Sequence, residues 1–125
     1  MITEDYCSYE VAKLLKEKGF DESCDKYYPL KGGEVEELTL YELNYHRSQF
    51  IKASTHQMAM KWLREVHGLF ISISNDDLDY NWQIFDIKNR TKDLDPICLT
   101  GSYAGHRKYE QAVETALKYA LENLI

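Results

Sequence analysis

Apolar side chains recur at helical spacing in three stretches of this 125-residue chain and alternate with polar ones in two more. In the first stretch, YCSYEVAKLLKEKGF, Val11, Leu14, Leu15 and Lys18 share one helical face. Ser8 supplies an N-cap hydroxyl and Gly19 a stop, so the pattern predicts a helix over 8–19. The second stretch, STHQMAMKWLREVHG, predicts a helix over 54–67. Here Ser54 and Gln57 form a capping box, Ala59, Trp62, Leu63 and Val66 face inward with Met58, and Gly68 ends the run. Immediately after it, Leu69, Ile71 and Ile73 alternate with Phe70, Ser72 and Ser74. Tyr80, Trp82 and Ile84 alternate in the same way with Asn81, Gln83 and Phe85. Period-two writing on either side of the turn sequence SNDDLD predicts a hairpin. A polar loop, NRTKDLDP, leads to a third short strand from Ile97 to Thr100. The last stretch places Tyr109, Ala112, Val113, Ala116, Leu117, Ala120, Leu121 and Leu124 on one stripe, predicting a core helix over 108–124 with a Glu114–Lys118 pair on its wet side.

Residues 21–53 carry no such period. KYYPL has the composition of a short strand that Pro29 confines to an edge or an end, and LKGGE reads as a turn. EELTLYELNYHRSQF is compatible with a strand through Leu38 and Leu40 or with a short irregular helix, the strand being the better reading. The pattern as a whole predicts one α+β domain, 1–125, with a three- to four-stranded, mostly antiparallel sheet packed by two to three helices.

Composition narrows the function classes. The mean hydropathy is −0.53, and no apolar run approaches the roughly 18 residues that a membrane span needs. MITEDYCSYE lacks the layout of a signal peptide, so a cytoplasmic protein without membrane contact is expected. Cys7, Cys24 and Cys98 form no CxxC pair and read as small apolar fillers rather than redox centres. The net charge of −6 offers no general basic footprint for nucleic acid. Ten tyrosines are the compositional oddity; Tyr27, Tyr28, Tyr41 and Tyr45 lie in the segment without period, where a ring can pack while its hydroxyl meets water.

Catalytic and metal motifs are weak. His56 and His67 lie on nearly one helical face, but their 11 residues span roughly 16 Å, too far to share an ion within one chain. Cys98 and His106 have no local signature around them, NDDLDYNWQIFD lacks the glycine and terminal glutamate of a calcium loop, and Gly32–Gly33 lacks a phosphate-binding pattern. No enzyme activity, metal or cofactor is therefore expected. A binding module is, with Tyr27, Tyr28, Tyr41 and Tyr45 meeting a protein partner or a second copy of the chain. The alternative is nucleic acid. From residue 54 the order helix, three strands, helix resembles double-stranded RNA-binding domains, with His106, Arg107 and Lys108 at the start of the final helix where such domains meet phosphates.

Three segments, CSYEVAKLLKEKGFDE, THQMAMKWLREVHG and YEQAVETALKYALENLI, carry a further resemblance. They are similar to a group of small uncharacterised proteins from gut Bacteroides-type genomes and their prophages. The resemblance implies an accessory protein of mobile elements that acts by binding, and it assigns no functional residue.

Overall fold

The computed structural model describes residues 2–89, 92–93, 95–102 and 105–125, so the predicted loop 89–96 lies partly outside the described residues. Helix α1 (Tyr9–Glu17) leads to strand β1 (Lys26–Pro29), helix α2 (Leu40–Tyr45), a 3-10 turn (Arg47–Gln49) and strand β2 (Phe50–Ala53). Then follow α3 (His56–His67), β3 (Leu69–Asp76), β4 (Asp79–Asp86), β5 (Ile97–Gly101) and α4 (Tyr109–Asn123). This is an α+β fold, with five strands among the described residues in two antiparallel sheets, β1–β2 and β3–β4–β5. No helix among the described residues is long and apolar enough to cross a membrane.

The three-stranded sheet follows directly from the alternation. Leu69, Ile71, Trp82 and Ile84 are buried on its inner face, and β3 and β4 pair from Leu69↔Asp86 to Asp76↔Asp79. Asp77 takes a left-handed conformation, φ 55°, at the tip, which a short polar side chain tolerates. β5 pairs with β4 through a register shift at Ile84/Phe85. Against the inner face lies α4, whose Ala112, Ala116 and Ala120 allow close approach while Val113, Leu117 and Leu121 fill the space between. Each fully buried leucine here contributes about 1.5–3 kcal/mol by leaving water. α1 packs on α4 through Val11 and Leu15, and α3 closes the same core with Ala59, Met60, Trp62 and Leu63.

Two predicted details of α3 shift. Its N-cap is Thr55, whose hydroxyl accepts the Met58 amide at 3.2 Å. Ser54 is instead buried, and its carbonyl accepts the Cys7 amide at 2.8 Å. Starting one residue later makes His56 the first helical residue. Met60 joins the core, whereas Met58, in the first turn, is 38% exposed, and Val66 is 49% exposed because the packing ends one turn before the helix does. Gly68 then reverses the chain at φ 66°, and the Lys88 ammonium covers the free Val66 carbonyl at 3.0 Å.

The segment without period also resolves differently. Leu40–Tyr45 is helical, started by a capping box in which Thr39 and Glu42 satisfy one another's amides. β1 and β2, both within that segment, pair in a separate two-stranded sheet instead of adding a fourth strand to the main one. Pro29 stands at the end of β1, where its missing N–H breaks no ladder. Tyr28, Ile51, Ala53 and Ala12 form a second small core beneath this sheet.

Candidate functional site

A groove of about 440 Å³ opens between α1 and the β1–β2 sheet, within the size range of small-ligand sites. Phe20, Tyr27 and Ile51 give it an apolar wall, with Phe50 half-buried beside them. Its lining also includes Lys16, Arg47 and Lys52, against the single carboxylate of Asp21. Lys52 donates to Asp21 at 2.9 Å, and that bond with its charge holds the Asp21 carboxyl below its ordinary range. The rim therefore carries a net positive charge on a chain whose net charge is −6.

The four candidate tyrosines do not act as one surface. Tyr28 is core: its hydroxyl donates to the Cys7 carbonyl at 2.6 Å, and burial pushes its pKa up. Tyr27 is buried in the groove wall, its backbone tied to Glu36 in both directions. Tyr41 and Tyr45 are 62% and 72% exposed, one turn apart on α2 with ring centroids at 5.1 Å. His46 packs against Tyr41 at 5.2 Å and leads straight into Arg47 of the groove.

The basic triplet is divided as well. His106 exchanges backbone hydrogen bonds with Tyr80, at 2.7 and 2.8 Å. Arg107 reaches Asp79 at 3.5 Å, on a hairpin tip that also carries Asp76 and Asp77. The Lys108 amide donates to Gln111 at the start of α4. The predicted order of helix, three strands and helix is present from α3 to α4, with both helices packed on β3.

A buried cluster joins three helices. Cys7, fully buried, immediately precedes the Ser8 N-cap of α1; His56 opens α3; Glu114 lies in mid-α4. His56 Nε2 and Glu114 Oε1 are 2.8 Å apart, and the same oxygen accepts the Ser8 amide at 2.8 Å. Burial alone would raise the Glu114 carboxyl, but the bonds from His56 and Ser8 outweigh it and hold the group below the ordinary range. An ionised carboxylate only accepts, so Nε2 carries the proton in this pair. The Cys7 thiol is pushed far up, first by burial and then by the Glu114 charge, which leaves it protonated and a poor nucleophile. Lys118, predicted to pair with Glu114, turns instead to Glu10 at 2.8 Å.

Over His56 and Glu114 lies a wide cleft of about 590 Å³, to which Asp5, His106 and Glu110 also contribute. His106 thus meets His56 across a cleft, a grouping that the sequence reading did not anticipate. His67, at the other end of α3, packs edge-on to Trp62 at 4.8 Å. Burial, with the Lys88 charge second, lowers its pKa and favours the neutral ring.

Neither the groove nor the buried cluster has a local motif. The groove draws on three separate stretches, 12–21, 27 and 47–52, and Cys7, His56 and Glu114 are 49 and 58 residues apart. Comparison with models of known protein families, with curated proteins and with solved structures returns no match.

Proposed function

We propose that the chain is a non-enzymatic binding module that holds an acidic, apolar segment of a partner protein in the groove between α1 and the β1–β2 sheet. The observation that carries this reading is the apolar groove wall rimmed by Lys16, Arg47 and Lys52 on an otherwise acidic protein. An apolar side chain entering the groove leaves water, while a neighbouring carboxylate meets the cations at a partly desolvated rim. Tyr41 and Tyr45, exposed on the helix that leads into Arg47, supply rigid amphipathic contact area beside it.

Selection from a random peptide library on the purified protein tests the proposal. Enriched peptides are expected to combine Asp or Glu with large apolar residues, and Arg47→Glu with Lys16→Glu should weaken them by about tenfold or more. Enrichment without acidic residues, or affinities unchanged by these reversals, would refute it.

The element order from α3 to α4 favours nucleic acid as a second reading. Against it, Arg107 is paired with Asp79 and the adjoining hairpin tip is acidic, which opposes phosphate. Fluorescence anisotropy with a duplex RNA at low salt separates the two: binding that falls steeply with salt and disappears in Arg107→Glu would favour this second reading.

A further inference from the structure

We propose that Cys7, His56 and Glu114 form a binding site for one zinc-type divalent ion, on a different part of the surface from the groove. A thiol sulfur, an imidazole nitrogen and a carboxylate oxygen lie within 4.8 Å of one another here, each delivered by a different helix or helix entry. This mixed donor set is the kind that zinc and cobalt(II) accept, while calcium and magnesium prefer oxygen alone. Thiolate and carboxylate together cancel the two positive charges, so the occupied site is neutral, as a buried site must nearly be.

The geometry is close to what an ion needs. Tetrahedral bonds of about 2.0–2.3 Å place donors about 3.3–3.7 Å apart. The His56–Glu114 pair, now a hydrogen bond at 2.8 Å, must open slightly, and no pair, all lying within 4.8 Å, need close by more than about 1–1.5 Å. Side-chain rotation covers both changes. The Ser8 amide already fixes the Glu114 carboxylate, the kind of outer hydrogen bond that orients metal ligands. His56 and Glu114 line the cleft whereas Cys7 does not, so an ion among the three is reached from the cleft and takes water as its fourth ligand on that side.

The proton balance is explicit. The Cys7 thiol loses its proton to solvent, and His56 exchanges its Nε2–H tautomer for Nδ1–H, freeing the Nε2 lone pair. One proton is released per ion bound by neutral His56.

Tag-free protein is titrated with cobalt(II) chloride, and absorbance is recorded. A thiolate-to-cobalt charge-transfer band saturating at one equivalent, and erased by zinc, is expected. Cys24→Ala/Cys98→Ala, which leaves Cys7 as the only thiol, should keep the band. Cys7→Ala should lose it and weaken zinc binding by at least about tenfold, the scale that outer-sphere losses alone reach. A folded wild-type protein without the band, or a band lost in the double variant, would overturn the proposal. If Cys7→Ala fails to fold, the wild-type and double-variant spectra decide.

Discussion

Glu114 ties the starts of two helices to the middle of a third, so its removal should be felt well beyond α4. In Glu114→Ala, His56 Nε2–H loses its partner at 2.8 Å at the floor of the cleft, and the Ser8 amide loses its own at 2.8 Å. A buried donor left unsatisfied costs about 1–3 kcal/mol. His56 is only 5% exposed and takes the upper part of that range, whereas Ser8 is exposed and water replaces most of its bond. The sum is about 2–4 kcal/mol, a large fraction of the roughly 5–15 kcal/mol that holds a domain folded. Glu114→Gln keeps an acceptor oxygen but loses the charge, and should cost about half as much. Urea unfolding followed by circular dichroism, in chelator and at constant pH, measures both variants. Amide exchange at Ser8 should accelerate in the alanine variant before global unfolding does. An alanine variant within about 0.5 kcal/mol of wild type would refute the reasoning, because a donor as buried as His56 Nε2 could not lose its partner so cheaply.

Other perturbations test the fold at separate points. His67 has a lowered pKa and its Nε2 is buried without a hydrogen-bond partner among the described residues, so the unfolded chain takes up a proton that the folded chain refuses. This neutral-ring contribution is full above the ordinary imidazole range and lost as pH falls below about 6.5; His67→Phe, which keeps a ring against Trp62, should show a shallower loss of stability from pH 7.5 to 5.5, and equal slopes would refute the assignment. Gly68→Ala forces a side chain into φ 66° and drives its Cβ into the Lys88 side chain, for a loss of about 1–2 kcal/mol in urea unfolding. Leu63→Ala, in a fully buried position, should cost about 2–5 kcal/mol, whereas Val66→Ala, half exposed one turn later, should stay near or below about 1 kcal/mol. Thr39→Ala removes the cap of α2 and should raise amide exchange at Tyr41 and Glu42 while shifting global stability by no more than about 1 kcal/mol.

The parts of the fold that were legible are those where one period persists for several turns. The α4 stripe is buried in the structure from Ala112 to Leu121, and the alternation of β3 and β4 gives the paired register itself. Boundaries were less legible because caps compete. Ser54 and Thr55 both carry a hydroxyl at the start of α3, and the choice between them depends on Ser54 being drawn into the contact with Cys7, a partner 47 residues away. The α2 helix is obscured in the sequence for a different reason. Thr39 and Glu42 are a capping box in plain view, but the strand-like leucines and tyrosines around them outweighed it.

The candidate sites were hidden for a reason that applies to both. A periodic stripe is written on one element, whereas a site is assembled from single residues of several. His56 and His67 both lie on α3, yet a straight helix separates them by three turns, and the groups that reach His56 come from the entry to α1 and from α4. What the sequence did carry was a mismatch. A histidine in the first turn of a helix gains nothing from the macrodipole, and a glutamate in mid-α4 sits beside the apolar stripe. Each looks dispensable alone; together they neutralise one another's cost across a helix packing that only the folded chain creates. The groove follows the same logic: Lys16, Arg47 and Lys52 are ordinary surface residues in sequence, and they become a cationic rim only because β2 turns back beside α1.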